Sequence, residues 1–204
     1  MSTSLQIRCD CGKLEGELAD VSPQAGNRAV CYCDDCQAFQ HHLGKAETVL
    51  DENGGTDVFQ TSPARLRFTA GKEYLACLRL KPKGTLRWYA SCCNTPIGNT
   101  MAASGVAFIG LITACLAGRD SDTVAGALGP VKGRIMGRYA KGDISHLDVH
   151  PKFPLSVLFP FVGSLLVRRL RGDHKRSPFF DPETRELVVE PRVLTRDEYA
   201  AARP

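Results

Sequence analysis

The chain has 204 residues and a formal net charge of +4. This length suffices for one domain with a hydrophobic core, and the small net charge gives no reason to expect a nucleic-acid partner. No segment has the roughly 20 apolar residues of a membrane-spanning helix, and the N-terminus lacks the apolar core of a signal peptide. We therefore expect a cytoplasmic protein without a transmembrane segment.

The first half of the chain consists of short segments that alternate apolar and polar residues between glycine and proline positions. This two-residue period, together with β-branched and aromatic residues, is typical of strands. The predicted strands lie in SLQIR, KLEGEL, NRAVCY, ARLRFT, YLACLRL and TLRWYA. The segment QAFQHHLG, directly after Cys36, predicts a short helix. The pattern as a whole favours a mainly β fold with antiparallel strands.

The second half has a different texture, with longer apolar segments and a basic stretch. It predicts strands at residues 106–112 and in GRIMGRYA, a helix over about residues 155–171, and a late strand in RELVVEP. A terminal helix is predicted in TRDEYAAAR, because Thr195 and Glu198 have the spacing of a capping box. We expect residues 1–145 to form the main domain and residues 146–204 a C-terminal extension packed on it, with one or two helices.

Nine cysteines are many for a chain expected in a reducing compartment. A bond between Cys9 and Cys11 would close a ring too small for ordinary disulfide geometry. Thiolates that converge on a metal ion account for such close spacing, and zinc is the common soft cation of cysteine sites. Cys77 and Cys115 stand alone in apolar segments, so we expect them to be buried in the core.

The motif CYCDDC gives the strongest metal signal, since Cys31, Cys33 and Cys36 form a C-x-C-x-x-C. Such a motif can wrap three sulfurs around one metal and leave the fourth tetrahedral position for a distant residue, a water or a substrate. His41 and His42 are close enough in sequence to be candidates for a fourth ligand. With such a ligand the site would be structural, and without one it would be open.

A second site is predicted from the two remaining cysteine pairs. Cys9 and Cys11 need partners from elsewhere in the chain, and the adjacent residues Cys92 and Cys93 form the other close pair. Consecutive side chains of a strand point to opposite faces, so both cysteines can ligate one metal only if they lie in a turn. The sequence therefore predicts two zinc ions per chain, one in a closed structural site and one in an open site.

The order of these motifs resembles the glutathione-dependent formaldehyde-activating enzyme family, which also includes centromere protein V. The resemblance covers roughly residues 5–100 and rests on four segments in order, CDCGKLEGEL, CYCDDCQAF, LRFTAG and LRWYASCCNTPIG. It implies a β-tent zinc-binding fold. By position it also implies two ligand sets, a structural set of Cys9, Cys11 and Cys93 and a catalytic set of Cys31, Cys33 and Cys36.

Five positions depart from the family pattern, and one of them, Gln37, stands where a basic residue is common. Ala90 stands where the family has the first cysteine of its late pair, so we expect Cys92 to supply that ligand two positions later. Asn94 replaces a usual glycine and can still adopt a positive φ. Asp34 and Asp35 stand where small or hydroxyl residues are usual; they are candidates for a proton carrier or for hydrogen bonds that orient the thiolates.

The resemblance implies a carbon–sulfur lyase that handles an aldehyde–thiol adduct of the S-hydroxymethylglutathione type, with a small-molecule thiol or adduct as partner. No catalytic residue beyond the zinc ligands is assigned. The alternative is a non-catalytic, zinc-stabilised protein that binds a protein or nucleic-acid partner. The apolar helix near residues 155–171 and its basic end leave three readings open: a core helix, a homodimer contact, or a surface for an anionic partner.

Overall fold

The structure is a computed structural model, and it describes residues 3–152 and 155–203, with side chains of the helix at 155–170 described from residue 161 onward. Its described strands form a three-stranded and an eight-stranded sheet. The strands are β1 (Thr3–Arg8), β2 (Glu15–Val21), β3 (Asn27–Cys31), β4 (Thr56–Thr61), β5 (Leu66–Ala70), β6 (Leu75–Arg79), β7 (Leu86–Ala90), β8 (Thr95–Thr100), β9 (Ile109–Ile112), β10 (Gly133–Ile135) and β11 (Arg192–Val193).

The small sheet has the order β1-β2-β5, and the large sheet has the order β10-β3-β4-β9-β8-β7-β6-β11. Neighbouring strands are antiparallel except at the two edges of the large sheet, where β10 runs parallel to β3 and β11 runs parallel to β6. The mainly β prediction is confirmed. The expectation of a wholly antiparallel arrangement is wrong at these edges, because both edge strands arrive late in the chain after long crossovers.

The described helices are α1 (Asp34–His42), α2 (Ala46–Val49), α3 (Asp122–Leu128), α4 (Leu155–Leu170) and α5 (Arg196–Ala202). The predicted helix after Cys36 begins earlier than expected, at Asp34, and therefore includes that cysteine. The prediction for residues 155–171 is confirmed to within one residue. The predicted terminal helix is also present, and its capping box between Thr195 and Glu198 is formed.

Each face of the large sheet packs against a different layer. One face packs against the small sheet around Trp88, which is fully buried and stacks on Phe179 with ring centroids 4.5 Å apart. The opposite face packs against α1 and α5 around Phe39 and Leu78. Because Phe179 follows α4 in sequence, the C-terminal segment contributes to the core of the β-sheets; the domain boundary at residue 145 stays a prediction.

Two strand predictions in the second half need correction. The segment RELVVEP forms no strand; Leu187 makes an isolated bridge with Phe180, and the late strand is β11 instead. The segment GRIMGRYA forms the short strand β10 and then a 3-10 helix. In both segments the chain turns away from the sheet edge after a few residues, so alternation alone overestimates strand length. No helix among the described residues is long and apolar enough to cross a bilayer.

Candidate metal centres

Four cysteines meet where the two sheets approach each other; we call them the four-cysteine cluster. Cys9 and Cys11 lie in the connection from β1 to β2, while Cys92 and Cys93 lie in the turn between β7 and β8. The sulfur of Cys11 is 3.3 Å from that of Cys92, and the sulfur of Cys9 is 3.6 Å from Cys11 and 3.7 Å from Cys92. The Cys92 and Cys93 sulfurs are 3.8 Å apart.

The local backbone explains how two adjacent cysteines face one point. Residues 91–94 form a turn rather than a strand, and Asn94 has a φ of 58°, in the left-handed region that asparagine tolerates. Ala90 is buried at the end of β7, and Cys92, two positions later, is the residue of this turn whose sulfur joins those of Cys9, Cys11 and Cys93. Gly12, with a φ of 76°, makes the matching turn on the β1–β2 side.

Hydrogen bonds fix the sulfurs of this cluster. The backbone N–H of Leu14 lies 3.2 Å from the Cys9 sulfur, and the Thr95 hydroxyl lies 3.2 Å from the Cys93 sulfur. Burial opposes ionisation, but hydrogen bonds from the Thr95 hydroxyl and from backbone N–H groups lower the pKa of Cys93 to about 6. At neutral pH this sulfur is therefore a thiolate, the form that binds metal.

Three cysteines form a second group on the other face of the large sheet; we call them the three-cysteine cluster. Cys31 ends β3, Cys33 is the N-cap residue of α1, and Cys36 lies in the first turn of that helix. The three sulfurs all lie within 4.8 Å of one another, and those of Cys31 and Cys36 are 3.9 Å apart. The sulfur of Cys33 accepts a hydrogen bond of 3.3 Å from the Cys36 N–H.

The sulfur spacing fits a zinc ion in both groups. With Zn–S bonds of about 2.3 Å, two sulfurs of a tetrahedral site are about 3.8 Å apart. The observed distances scatter around that value in both clusters. Both groups could hold a metal ion, and thiolate donors suit zinc.

A buried arginine lies beside the three-cysteine cluster. Arg87, on β7, is 4% exposed, and its Nη1 lies 4.0 Å from the Cys36 sulfur, the outer limit for a hydrogen bond to sulfur. The guanidinium also donates to Asn99 Oδ1 at 3.1 Å and lies 5.4 Å from the centre of the Phe39 ring. Burial would lower the pKa of Arg87, but the charges of Cys36 and Cys33 raise it.

The ionisation of the cluster follows from these contacts. Hydrogen bonds from the Cys31 and Cys33 thiols, and the charge of Arg87, hold the pKa of Cys36 well below its usual value, although burial opposes this. Hydrogen bonds with Cys33 and Cys36, together with burial, raise the pKa of Cys31. The contact with Arg87 therefore favours the thiolate form of Cys36.

The acidic pair of the motif does not face the cysteines. Asp35 accepts hydrogen bonds from Lys81 Nζ at 2.9 Å and from the Tyr199 hydroxyl at 2.7 Å, and Asp34 Oδ2 lies 3.5 Å from Arg203. Burial raises the pKa of Asp35, but the bonds from Lys81 and Tyr199 outweigh it and the pKa is lowered. The two aspartates thus join α1 to α5 and to the end of β6, and a carboxylate held ionised is poorly suited to carry a proton.

The histidine candidates also lie elsewhere. Among the residues that the structure describes, the three-cysteine cluster includes no histidine, aspartate, glutamate or fourth cysteine. His41 is exposed at the far end of α1. His42 faces Arg192 and Glu198, and partial burial lowers its pKa. Neither histidine therefore supplies the fourth ligand that the sequence allowed.

Two glutamines on α1 are buried, and of these only Gln37 stood out in the sequence, as a departure from the family pattern. The Gln37 Nε2 atom donates hydrogen bonds to the carbonyls of Tyr32 and Tyr139, at 2.7 and 2.9 Å. These bonds connect α1 to the segments that follow β3 and β10. Gln40 is 0% exposed, and neither polar atom of its side chain has a hydrogen-bond partner among the described residues. Residues four apart share a helix face, so Gln40 lies on the same side of α1 as Cys36.

Sequence reasoning also missed Arg87, which it placed in a strand without a role. Its neighbours Leu86 and Trp88 point into the core between the sheets, so Arg87 points to the opposite face, which α1 covers. The alternation alone would make this face solvent-exposed. Only the position of α1 reveals a buried cation there. The other two cysteines, Cys77 and Cys115, are buried in the core as predicted.

The fold and the two clusters define a mainly β protein with two groups of cysteines that could hold metal ions. Residues 1–188 match the profile of a protein family described as "Family of unknown function (DUF6151)", and the chain belongs to that family. The crystal structure of a Rhodobacter sphaeroides protein, a Northeast Structural Genomics target, is similar to part of this chain. The superposition covers 56% of this chain and 89% of that protein, with 18% sequence identity and a TM-score of 0.40. No curated protein matches the chain significantly.

Proposed function

We propose that the protein is a zinc-dependent enzyme that forms or cleaves an adduct between a thiol and an aldehyde, of the S-hydroxymethylglutathione type. The observation that carries this proposal is the three-cysteine cluster, which lacks a fourth cysteine, histidine, aspartate or glutamate within the described residues. Structural zinc sites are closed by four protein ligands, whereas catalytic sites keep one position for water or substrate. The motif resemblance to the formaldehyde-activating enzymes points to the same chemistry.

The two clusters take different roles in this proposal. Zinc at the four-cysteine cluster is structural, because all four positions are filled by protein sulfurs from two separate turns. Zinc at the three-cysteine cluster is held by Cys31, Cys33 and Cys36 and is open to a small molecule. When bound there, Zn²⁺ would stabilise a substrate sulfur as thiolate, since three thiolate ligands reduce its power to generate hydroxide at neutral pH.

The proposed reaction is balanced without an oxidant or reductant. The thiol sulfur adds to the carbonyl carbon, one C–S bond forms, and the C=O double bond becomes a single bond to oxygen. The proton lost by the thiol ends on that oxygen. In the reverse direction the C–S bond breaks, which makes the activity that of a carbon–sulfur lyase. The chain contributes the placement of three sulfurs on one helix and strand end, and the charge of Arg87 beside them.

Metal analysis and exchange spectroscopy test this proposal together. We expect two zinc ions per chain in the wild type and one in Cys33→Ser. In a mixture of formaldehyde and glutathione, NMR exchange spectroscopy is expected to show faster interconversion with the wild type than with Cys33→Ser or without protein. A metal other than zinc, or equal exchange rates in all three samples, would contradict the proposal.

A second candidate is a zinc-stabilised binding protein without catalysis, with a protein or nucleic-acid partner. The observation that favours it is an apolar stripe on α4, where Val162, Leu166 and Leu170 are more than half exposed and Arg171 and Lys175 lie beyond the helix end. Under this candidate both zinc ions are structural. Cys33→Ser would then unfold the protein instead of leaving a folded, inactive one.

A further inference from the structure

The buried cation at Arg87 has no carboxylate partner among the described residues. The nearest carboxylate that affects it electrostatically, that of Asp35, is already engaged by Lys81 and Tyr199. The guanidinium otherwise contacts the neutral oxygen of Asn99, the ring of Phe39 and the sulfur of Cys36. A buried charge is costly unless it is paired, so the counter-ion of Arg87 is the cysteine cluster.

If zinc is bound, the net charge of the site depends on the pairing of Arg87 with the cysteine sulfurs. Three thiolates around Zn²⁺ carry a net charge of −1, and Arg87 brings the total to zero. An anionic fourth ligand would then bind to a neutral site. Without Arg87 the same ligand would approach a site that is already negative. Beside the four-cysteine cluster, the charge of Lys45 also acts on Cys93 and Cys11, but this cation is partly exposed to solvent and is paired with Asp10 at 2.8 Å.

A second observation, on the same side of α1 as Cys36, is a buried polar side chain without a partner among the described residues. Gln40 lies one helical turn after Cys36, is completely buried, and offers an unpaired donor and an unpaired acceptor. Buried amide groups of this kind ordinarily have partners, because an unmet hydrogen bond in the interior is costly. A ligand or water next to Cys36 would supply one.

We propose that Arg87 makes the open position of the three-cysteine cluster a thiolate site. It is a positioning residue that acts through Cys36 and favours an anionic sulfur ligand over a neutral donor. This inference rests on the proposed function, and it adds that Arg87 determines whether the site prefers an anionic or a neutral ligand. Asn99 supports it by holding the guanidinium at 3.1 Å.

The test uses full-length protein loaded with Co²⁺, whose absorption spectrum reports the ligands around the metal. The wild type is titrated with 2-mercaptoethanol and, as a neutral donor, with imidazole. The Arg87→Met variant is expected to bind 2-mercaptoethanol about 10- to 100-fold more weakly, a typical cost for losing a group that supports a metal ligand. Its imidazole affinity is expected to change less than about 3-fold, because no charge is added at the metal. Arg87→Lys keeps the charge and is expected to restore most thiolate affinity.

A second variant, Asn99→Asp, tests the same inference if Arg87→Met does not fold, because aspartate has nearly the same shape as asparagine. Asn99→Asp places a carboxylate beside the guanidinium and neutralises it, so 2-mercaptoethanol binding is expected to weaken there too, with imidazole binding unchanged. Equal thiolate affinity in the wild type, Arg87→Met and Asn99→Asp would overturn the inference alone. A wild-type spectrum that does not respond to the thiol would overturn the proposed function as well. A parallel loss of imidazole binding would assign Arg87 a purely structural role and overturn the inference.

Discussion

The two cysteine clusters differ most in the length of chain that separates their members. The four-cysteine cluster joins a turn of the small sheet to a turn of the large sheet, and Cys9 precedes Cys92 by 83 residues. A metal there closes a long loop and links two layers, so it acts on the stability of the whole fold. The three-cysteine cluster lies within CYCDDC and closes no long loop.

The side chains around the two cysteine clusters also differ. The four-cysteine cluster is held by backbone N–H groups and the Thr95 hydroxyl, and its four positions are filled. The three-cysteine cluster has a buried cation, an unpaired buried amide and three sulfurs. Groups arranged at some cost to stability are typical of functional sites. Under the proposed function, spacing along the chain would separate a metal that supports the fold from one that is free to react.

The largest expected effect comes from breaking the four-cysteine cluster. Cys92→Ser is expected to lose one zinc ion per chain and more than about 4 kcal/mol of unfolding free energy, because a metal cross-link is lost. Thermal and denaturant unfolding with metal analysis measure both. The neighbouring Ser91→Ala variant, at an exposed position, is the control. A Cys92→Ser protein with two zinc ions and wild-type stability would show that Cys92 is not a ligand.

The matching change in the three-cysteine cluster is expected to have a smaller effect on stability. Cys33→Ser should lose one zinc ion and remain folded, since serine is a preferred N-cap residue and can keep the cap of α1. Circular dichroism and metal content are measured side by side. Cys77→Ala, a core cysteine outside both clusters, should retain both ions. Cooperative unfolding of Cys33→Ser would remove the distinction between the clusters.

The link between α1 and α5 gives an intermediate effect. Asp35→Asn is expected to cost about 1–2 kcal/mol, a typical value for a hydrogen bond to a charged group, with zinc content unchanged. Because the pKa of Asp35 is lowered by folding, its contribution is present above the unfolded pKa of about 3.9 and is lost as pH falls through the folded value. The difference between wild type and variant should therefore vanish in strong acid.

Asp34→Asn is the matched control for that variant, since its contact with Arg203 is longer, at 3.5 Å, and more exposed. It should change stability by less than about 0.5 kcal/mol. If Asp35→Asn instead abolished the exchange activity while stability was unchanged, Asp35 would be a proton carrier after all.

Apart from that control, the smallest expected effect is that of Gln40→Met, and it is a gain in stability. Removing an unpaired buried amide while keeping the side-chain volume should raise the unfolding free energy by about 1 kcal/mol. Binding of 2-mercaptoethanol to the Co²⁺ protein should weaken by a few-fold, because a polar contact next to Cys36 is lost. A loss of stability would mean that Gln40 has a structural partner, such as a buried water.

The sequence predicts several strands of the first half well, because SLQIR and KLEGEL each bury one face and keep a period of two, while TLRWYA is rich in β-forming residues although both of its faces are buried. It misses β4 and β8. The segment TPIGNT contains Pro96 and Gly98, residues that weaken a strand prediction, yet it lies inside the large sheet. An irregular register opposite Pro96 accommodates the missing N–H.

The two cysteine groups are predictable because cysteine spacing carries its own geometric meaning, and the chain gathers all seven cysteines into the two expected groups. The expectation that Cys92 takes the place of a cysteine at position 90 follows from the same reasoning. Arg87, Gln40 and the partners of Asp35 are not predictable. Their roles depend on which layer covers which face of the sheet, and that is set by long-range packing of α1 and α5.

The short spacing of the three-cysteine cluster also has a consequence for the order of folding. Proteins are synthesised from the N-terminus, and local contacts form before distant ones. CYCDDC is complete as soon as Cys36 has been added, whereas the four-cysteine cluster must wait for Cys92 and Cys93. The site proposed to act on a ligand would thus be able to take up a metal on a nascent chain, before the cluster that joins the two sheets has all its cysteines.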